Sequence, residues 1–413
     1  MTLRFKALAV TATVASVAAL AACSGGSAAP SSQSSTSSSP APTSSSATPS
    51  KFDCAGGSIK IGAVKALTGG FSFYDGAGNN SDQLAIDQIN AAGGIDGCKI
   101  EMTVKDMKSD PALGGQIAKE LIAAGSQIIL VPNDKDLGLG AAQAAQAAGV
   151  FSLSPGGASQ DFGAGVGPLF ANGGTTSQEL ARAGVRFAGD QGYKSVFYIT
   201  NESFAFFTLQ EDTFRAETAM KDLGRTVVEN GQTDFSAVVS KAKEAVAAGE
   251  NPTIYVATYF PDAAVLIKQL REGGVTAPII GNSAFSSRDF AKTAGVANVK
   301  DVYYAAGTYF EGTDAPADAK AFTDAYQAAY GEFPPNSNPA ESYWTMSALF
   351  KALAQAGSTK AEPLAAALLG QKDLTVPMKT IFEWKDQHIV GSTVVIGFTD
   401  SGEFKLAASY GSN

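Results

Sequence analysis

The sequence predicts an α/β protein with two doubly wound parallel-sheet lobes, joined by a hinge of several chain crossings. Three observations predict it. Short β-branched or apolar runs alternate with longer helical patterns from Ile59 to Ala306, the mark of strand–helix–strand units with right-handed crossovers. A Gly-rich passage, Asn172-Gly173-Gly174, divides this series in two. After Ala306 come three helical stretches with no strands between them, then two or three closing strands, a tail able to return to either series. From Lys51 onward the chain is too long for one comfortable core and suits two domains.

Residues 1–23 read as a targeting segment. Arg4 and Lys6 supply a positive start, and Ala7 to Ala22 an alanine-heavy apolar run interrupted by Thr11, Thr13 and Ser16. The run falls short of the ~20 strongly apolar residues of a membrane span, and small residues precede Cys23 as at a cleavage site. Leu20-Ala21-Ala22-Cys23 resembles the lipobox of bacterial lipoproteins, which implies lipidation of Cys23. An ordinary secretory signal with an incidental cysteine is the alternative. Residues 24–50 contain only Ser, Ala, Pro, Gly, Thr and Gln. Such a segment buries too little surface to offset its chain entropy, and reads as a disordered tether spanning roughly 30 Å.

The first lobe is expected over residues 51–172 plus about 308–380. Ile59–Ala66 is a strand that ends in a Gly-rich, aromatic loop, Thr68 to Tyr74. A helix follows to about Ala92, stopped by Gly93-Gly94. The second strand runs through Ile100, Met102 and Val104 to Asp106. Asp110-Pro111 starts a helix, since Asp caps and Pro is preset for the first turn. Leu113, Ile117 and Leu121 then share its buried face. Gln127–Val131 is strand three and Gly138–Ala148 an alanine-rich helix.

Val150–Leu153 is strand four, and it stops at Pro155. The turn Gly156-Gly157-Ala158-Ser159 lets a ligand approach backbone N–H groups closely. Open α/β sheets bind ligands outside the carboxyl ends of their strands. A plain strand-to-loop turn is the bland reading of the same residues.

The second lobe is expected over residues 173–307 plus about 381–413. Helices Gln178–Gly189, Phe207–Leu223, Phe235–Ala248 and Pro261–Glu272 alternate with strands Ser195–Thr200, Thr226–Glu229, Thr253–Ala257, Pro278–Ile280 and Val302–Ala306. Helices Pro316–Tyr330, Ala340–Ala356 and Glu362–Leu369 follow. Strands near Thr380–Trp384, Val394–Phe398 and Glu403–Leu406 close the chain.

Beyond Cys23 only Cys54 and Cys98 remain, an even pair in an exported domain. Each lies just ahead of a predicted strand, so a disulfide is feasible if those strands are parallel neighbours; two unpaired thiols are the alternative. A net charge of −9 argues against a nucleic-acid partner. Enzymatic chemistry finds little support. The one histidine, His388, reads as a surface residue, and it leaves no His cluster for a metal. Ser240 and Lys243 fit Ser-x-x-Lys without its partner motifs, and the Gly-rich turns match neither a P-loop nor a dinucleotide fingerprint. No cofactor is expected.

Several blocks carry a family resemblance. They are Leu67-Thr68-Gly69, Ile89-Asn90-Ala91-Ala92-Gly93-Gly94-Ile95-Asp96-Gly97, Asp106 with Ser109-Asp110-Pro111, Ser154-Pro155-Gly156-Gly157, Thr233-Asp234-Phe235 and Tyr259-Phe260-Pro261-Asp262. Together they resemble the leucine/isoleucine/valine-binding type of periplasmic binding protein (type I), the solute receptors of ABC importers. The resemblance implies two lobes that close on a small ligand, no reaction, a permease partner in the membrane, and an anchored position outside the cytoplasmic membrane. A sensory receptor built on the same module is the alternative.

The resemblance also implies a site. Tyr74 matches an aromatic that covers the ligand, and Gly156 and Ala158 match positions that hold an α-carboxylate. Ala158 stands where a threonine hydroxyl is common, with Ser159 and Gly157 beside it. Lys135 lies in the loop after strand three. Phe204 matches a usual tyrosine, and Tyr259 the tyrosine near the ligand's amine. Ser283 falls where amino-acid binders place a carboxylate; Glu202 and Asp262 are other sources of that charge.

Overall fold

The computed structural model describes residues 52, 57–312 and 314–411. The expectations for Cys23, for the 24–50 tether and for Cys54 lie outside them.

The first series is β1 (Ser58–Lys65), α1 (Ser72–Ala91), β2 (Lys99–Asp106), α2 (Pro111–Ala123), β3 (Ile128–Leu130), α3 (Lys135–Ala147), β4 (Phe151–Ser154) and β5 (Phe170–Asn172). The second is α4 (Ser177–Asp190), β6 (Ser195–Asn201), α5 (Ala205–Glu217), β7 (Lys221–Val228), α6 (Ser236–Ala247), β8 (Pro252–Ala257), α7 (Asp262–Glu272), β9 (Ile279–Gly281), α8 (Phe290–Ala294) and β10 (Val302–Ala306). The chain then makes α9 (Ala317–Tyr330), α10 (Asn338–Ala356), α11 (Ala361–Leu369), β11 (Leu374–Val376), β12 (Lys379–Lys385) and β13 (His388–Gly391). It ends in β14 (Thr393–Phe398) and β15 (Phe404–Tyr410).

Two sheets result, one per lobe. The first runs β11-β12-β13-β5-β4-β3-β1-β2 and the second β15-β14-β10-β9-β8-β6-β7. Strands β1 to β5 and β6 to β10 pair in parallel. Both faces of each sheet are covered, as parallel sheets require. In the first lobe α1, α10 and α11 bury Ile61, Leu130, Trp344 and Leu364 on one face. Helices α2 and α3 bury Val64, Leu121 and Ile129 on the other. In the second lobe α6, α7 and α8 pack on one face and α4 and α5 on the other.

Four local expectations are corrected. The helix expected over Phe207–Leu223 stops at Glu217, and Lys221–Leu223 belong to edge strand β7, in register with Ser195 and Val196 of β6. Pairing at a sheet edge outweighs the weak helix preference of a charged run. The strand near Thr380–Trp384 belongs to the first sheet, not the second lobe, because β12 pairs with β13 and β13 lies beside β5. The chain therefore crosses at Ser392 rather than near residue 380. His388 is only 3% exposed, covered between β5 and β12, and burial lowers its pKa. It is not a surface residue.

Candidate functional site

The parallel strands of both lobes share one order, second-first-third-fourth-fifth. The winding direction therefore reverses between the first and third strands of each lobe, and a crevice opens there outside the strand carboxyl ends. In the first lobe Tyr74 follows β1 and Lys135 follows β3. In the second, Phe204 follows β6 and Tyr259 follows β8. Gly156 to Ser159 and Ser283 follow the next strands along, β4 and β9.

The turn after β4 rests on buried amides. Asn133 Oδ1 accepts the Gly156 N–H at 2.7 Å, and Asn133 Nδ2 donates to Asn338 Oδ1 of α10 at 3.4 Å. Asn172 Nδ2 donates to the Ser159 carbonyl at 2.8 Å. The Ala158 carbonyl accepts from the backbone N–H of Ser177 at 2.8 Å and from its hydroxyl at 3.2 Å, so the first turn of α4 holds the turn from the other lobe. A Cβ on Gly157 would lie 2.3 Å from Asn172 Oδ1 and 2.5 Å from Ser154 Oγ. Only glycine fits there without displacing an amide.

This changes what each residue offers. The Gly156 N–H, expected to face a ligand, is already committed to Asn133. The N–H groups of Gly157, Ala158 and Ser159 have no protein acceptor among the described residues. Consecutive N–H groups of this kind suit a carboxylate or carbonyl oxygen. Ser159 Oγ donates to Asp161 at 2.6 Å, and Lys135 Nζ meets the same carboxylate at 2.6 Å. Those two hydrogen bonds, that from Lys135 first, hold Asp161 below the usual carboxylate range. The structure thus brings Lys135 and Ser159 together, but engages both within the lobe. Lys135 is also the first residue of α3 rather than a loop residue, because Asp134 caps the helix through the N–H groups of Asp136 and Leu137.

The aromatics form two groups. Tyr74 sits half-buried in the first turn of α1, with ring centroids 5.4 Å from Phe71 and 6.3 Å from Phe73. Burial, more than the nearby Glu341, raises its phenol pKa, so it stays a neutral donor. In the second lobe Phe204 is 41% exposed and meets Tyr259 edge-on at 6.3 Å, while Phe207 stacks on Tyr259 at 6.2 Å. Phe285, which follows β9, is fully buried core.

Charge for an ammonium group is scarce. Ser283 is 9% exposed in a short helical turn capped by Asn282. Glu202 pairs with Arg225 at 2.7 Å. Asp262 accepts the Gly231 N–H at 2.7 Å and is 7% exposed. The lobes touch again where Ser337 N–H donates to Ser286 Oγ at 3.1 Å. Asn133, Asn172, Asn338, Ser177 and Ser286 escaped the sequence reading. Asn133 carried a signal, since it directly follows a strand; Asn338 meets the turn only through the tertiary fold.

Comparisons with known proteins agree with this architecture. The periplasmic binding protein family model matches residues 58–403. A Leu/Ile/Val-binding protein homolog 1 of Brucella abortus is 27% identical over 317 residues, covering 75% of this chain and 82% of that protein. An amino acid binding protein of Pseudomonas aeruginosa is 27% identical over 353 residues, covering 84% and 91%. Among solved structures, the branched-chain amino acid transporter substrate binding protein LivJ from Streptococcus pneumoniae, in complex with isoleucine, superposes with a TM-score of 0.72 at 24% identity, covering 86% of this chain and 99% of that one. A solute binding protein from R. palustris in complex with benzoate gives 0.68 at 15% identity, covering 86% and 98%.

Proposed function

The chain belongs to the periplasmic binding protein family, and on that premise we propose that it is an extracytoplasmic receptor that captures a small hydrophobic carboxylate, amide or amino acid between its lobes and delivers it to an ABC importer. The observation that carries this reading is the pairing of two switch points. The uncommitted N–H groups of Gly157 to Ser159 lie beside one, and the partly exposed Phe204–Tyr259 pair lies at the other. The first suits an oxygen anion or carbonyl and the second an apolar body. Tyr74, Lys135, Gly156 and Ser283 complete the walls, with Gly156 and Lys135 as support rather than contact. Glu202 is already paired, Asp262 holds a backbone N–H, and position 283 is a serine, so an ammonium would lack a charged partner, which is costly when buried. A ligand without an α-ammonium is therefore favoured. Neighbours solved with isoleucine and with benzoate bracket that choice.

Closure follows because the closed state touches the ligand from both sides and the open state from one. A melting screen of the purified protein against amino acids, amides and organic acids tests the reading. A ligand at 100 times its Kd adds about 2.7 kcal/mol to stability. Hydrophobic carboxylates or amides are expected to raise the melting temperature, and Phe204→Ala and Tyr259→Ala to lose that shift. A ligand held equally well by both variants places the site elsewhere.

Three finer assignments accompany it. Lipidation at Cys23 anchors the protein outside the cytoplasmic membrane. A Cys54–Cys98 disulfide staples the first lobe. The lobes divide as residues 57–172 with 317–391, and 177–306 with 393–411; the sheet memberships support this division.

A further inference from the structure

Three crossings join the lobes: residues 173–176 between β5 and α4, 307–316 between β10 and α9, and Ser392 between β13 and β14. Lys379, the first residue of β12, is 3% exposed. Its Nζ donates to Thr175 Oγ1 at 3.1 Å, to the Gly307 carbonyl at 3.3 Å and to the Ser392 carbonyl at 2.6 Å. One ammonium thus reaches all three crossings, and its three donors meet three acceptors.

The surroundings hold that ammonium in place. Glu179 of α4 supplies opposite charge, and Glu341 of α10, from the other lobe, lies beside the pair. The Trp344 ring centroid lies 5.0 Å from Nζ, within range of a cation–π contact. Glu179 also accepts the N–H groups of Thr176 and Gly391, each at 3.3 Å, which ties the first crossing to the strand that leads into the third. Trp344 Nε1 and Thr345 Oγ1 donate to the Gly173 carbonyl at 3.0 and 2.9 Å. A Cβ on Gly307 would lie 2.1 Å from Thr175 Oγ1, so the first two crossings pack directly on each other.

Hinges absorb lobe rotation in a few residues. Independent motion of these crossings would strip the buried ammonium of an acceptor, which is unfavourable. We propose that Lys379 pins the three crossings into one hinge that moves as a unit, and so tunes ligand affinity from outside the site by setting the balance of lobe angles. Only the consequence for affinity rests on the receptor reading.

Hydrogen–deuterium exchange of the full-length, ligand-free protein tests the pin without any ligand, so its outcome is separate from that of the melting screen. Lys379→Met keeps the length of the side chain and removes the charge. It is expected to speed exchange at 173–176, 307–308 and 391–393 together by about tenfold or more, with β1 and β8 unchanged. Thr175→Val removes one acceptor, and a smaller but joint acceleration at the same three segments is expected. Acceleration confined to residues near 379, or no change at the crossings, overturns the proposal. Should the methionine variant fail to fold, Thr175→Val decides: acceleration limited to 173–176 overturns it equally.

Discussion

Glu341, Glu179 and Lys379 place two carboxyls and one ammonium in a buried hinge. Burial pushes the Glu341 carboxyl up to about 8 despite the nearby ammonium, raises Glu179, and lowers Lys379. A protonated Glu341 beside a charged Lys379–Glu179 pair satisfies all three directions. In the unfolded chain a glutamate ionises near about 4.3. Across the window from about 4.3 to 8 the folded protein therefore holds a proton that the unfolded chain has lost, and stability falls as pH rises. One group contributes at most roughly 1.4 kcal/mol per pH unit. Urea melts at about pH 5.5 and about pH 8 are expected to show a less stable parent at the higher pH and a flatter dependence in Glu341→Gln. Glu311, pushed up to about 7 by burial, acts in the same direction but is common to both proteins. An unchanged dependence in the variant assigns the titration to another group. None of this was legible in the sequence. Glu179, Glu341 and Lys379 carry no local signal, because their shared burial arises from three distant segments. Pro155 and the glycines of the turn were legible, since their meaning is local.

Elements with strong local signals formed where expected. Asp110-Pro111 starts α2, and the Asp110 side chain accepts the Ala112 N–H at 2.9 Å. Strands β5, β11 and β13 went unread because runs of three or four residues owe their strand state to neighbours rather than to pattern. The leading edges of β1 and β2 bear on the proposed staple. These strands pair in parallel with Ser58 opposite Lys99, so the residues just before them adjoin. Cys98 is fully buried, and its Sγ lies 4.0 Å from the Phe52 carbonyl. Phe52 stands two positions before Cys54 in the sequence, which supports the proposed pairing. A Cys54–Cys98 bond would close a loop of about 45 residues, for which chain entropy gives roughly 4 kcal/mol before strain. Mass spectrometry of the thiol-blocked, non-reduced exported protein is expected to find one cross-linked peptide pair. Alkylation of both cysteines would rule the bond out.

At the scale of the molecule, the two lobes were legible because each buries its own cores and each repeats the same strand order. Helices without strands need an existing sheet to cover, but the sequence left open which one; α10 and α11 pack on the first. The exact crossing was not legible: β12 read like any short strand, and only its pairing with β13, which lies beside β5, assigns it. The proposed delivery to an importer calls for a position beside a membrane. Among the described residues no helix is long and apolar enough to cross one. The proposed attachment point is Cys23, in the lipobox-like Leu20-Ala21-Ala22-Cys23. A single myristoyl-length chain binds a membrane only marginally, and stable anchoring takes two signals; lipoprotein modification supplies at least two chains. Cys23→Ala is expected to move the protein from the membrane pellet to the soluble exported fraction, with its melting temperature and any ligand-induced shift unchanged. A variant that pellets as firmly as the parent, and resists release by high salt, would show that something other than Cys23 holds the protein to the membrane.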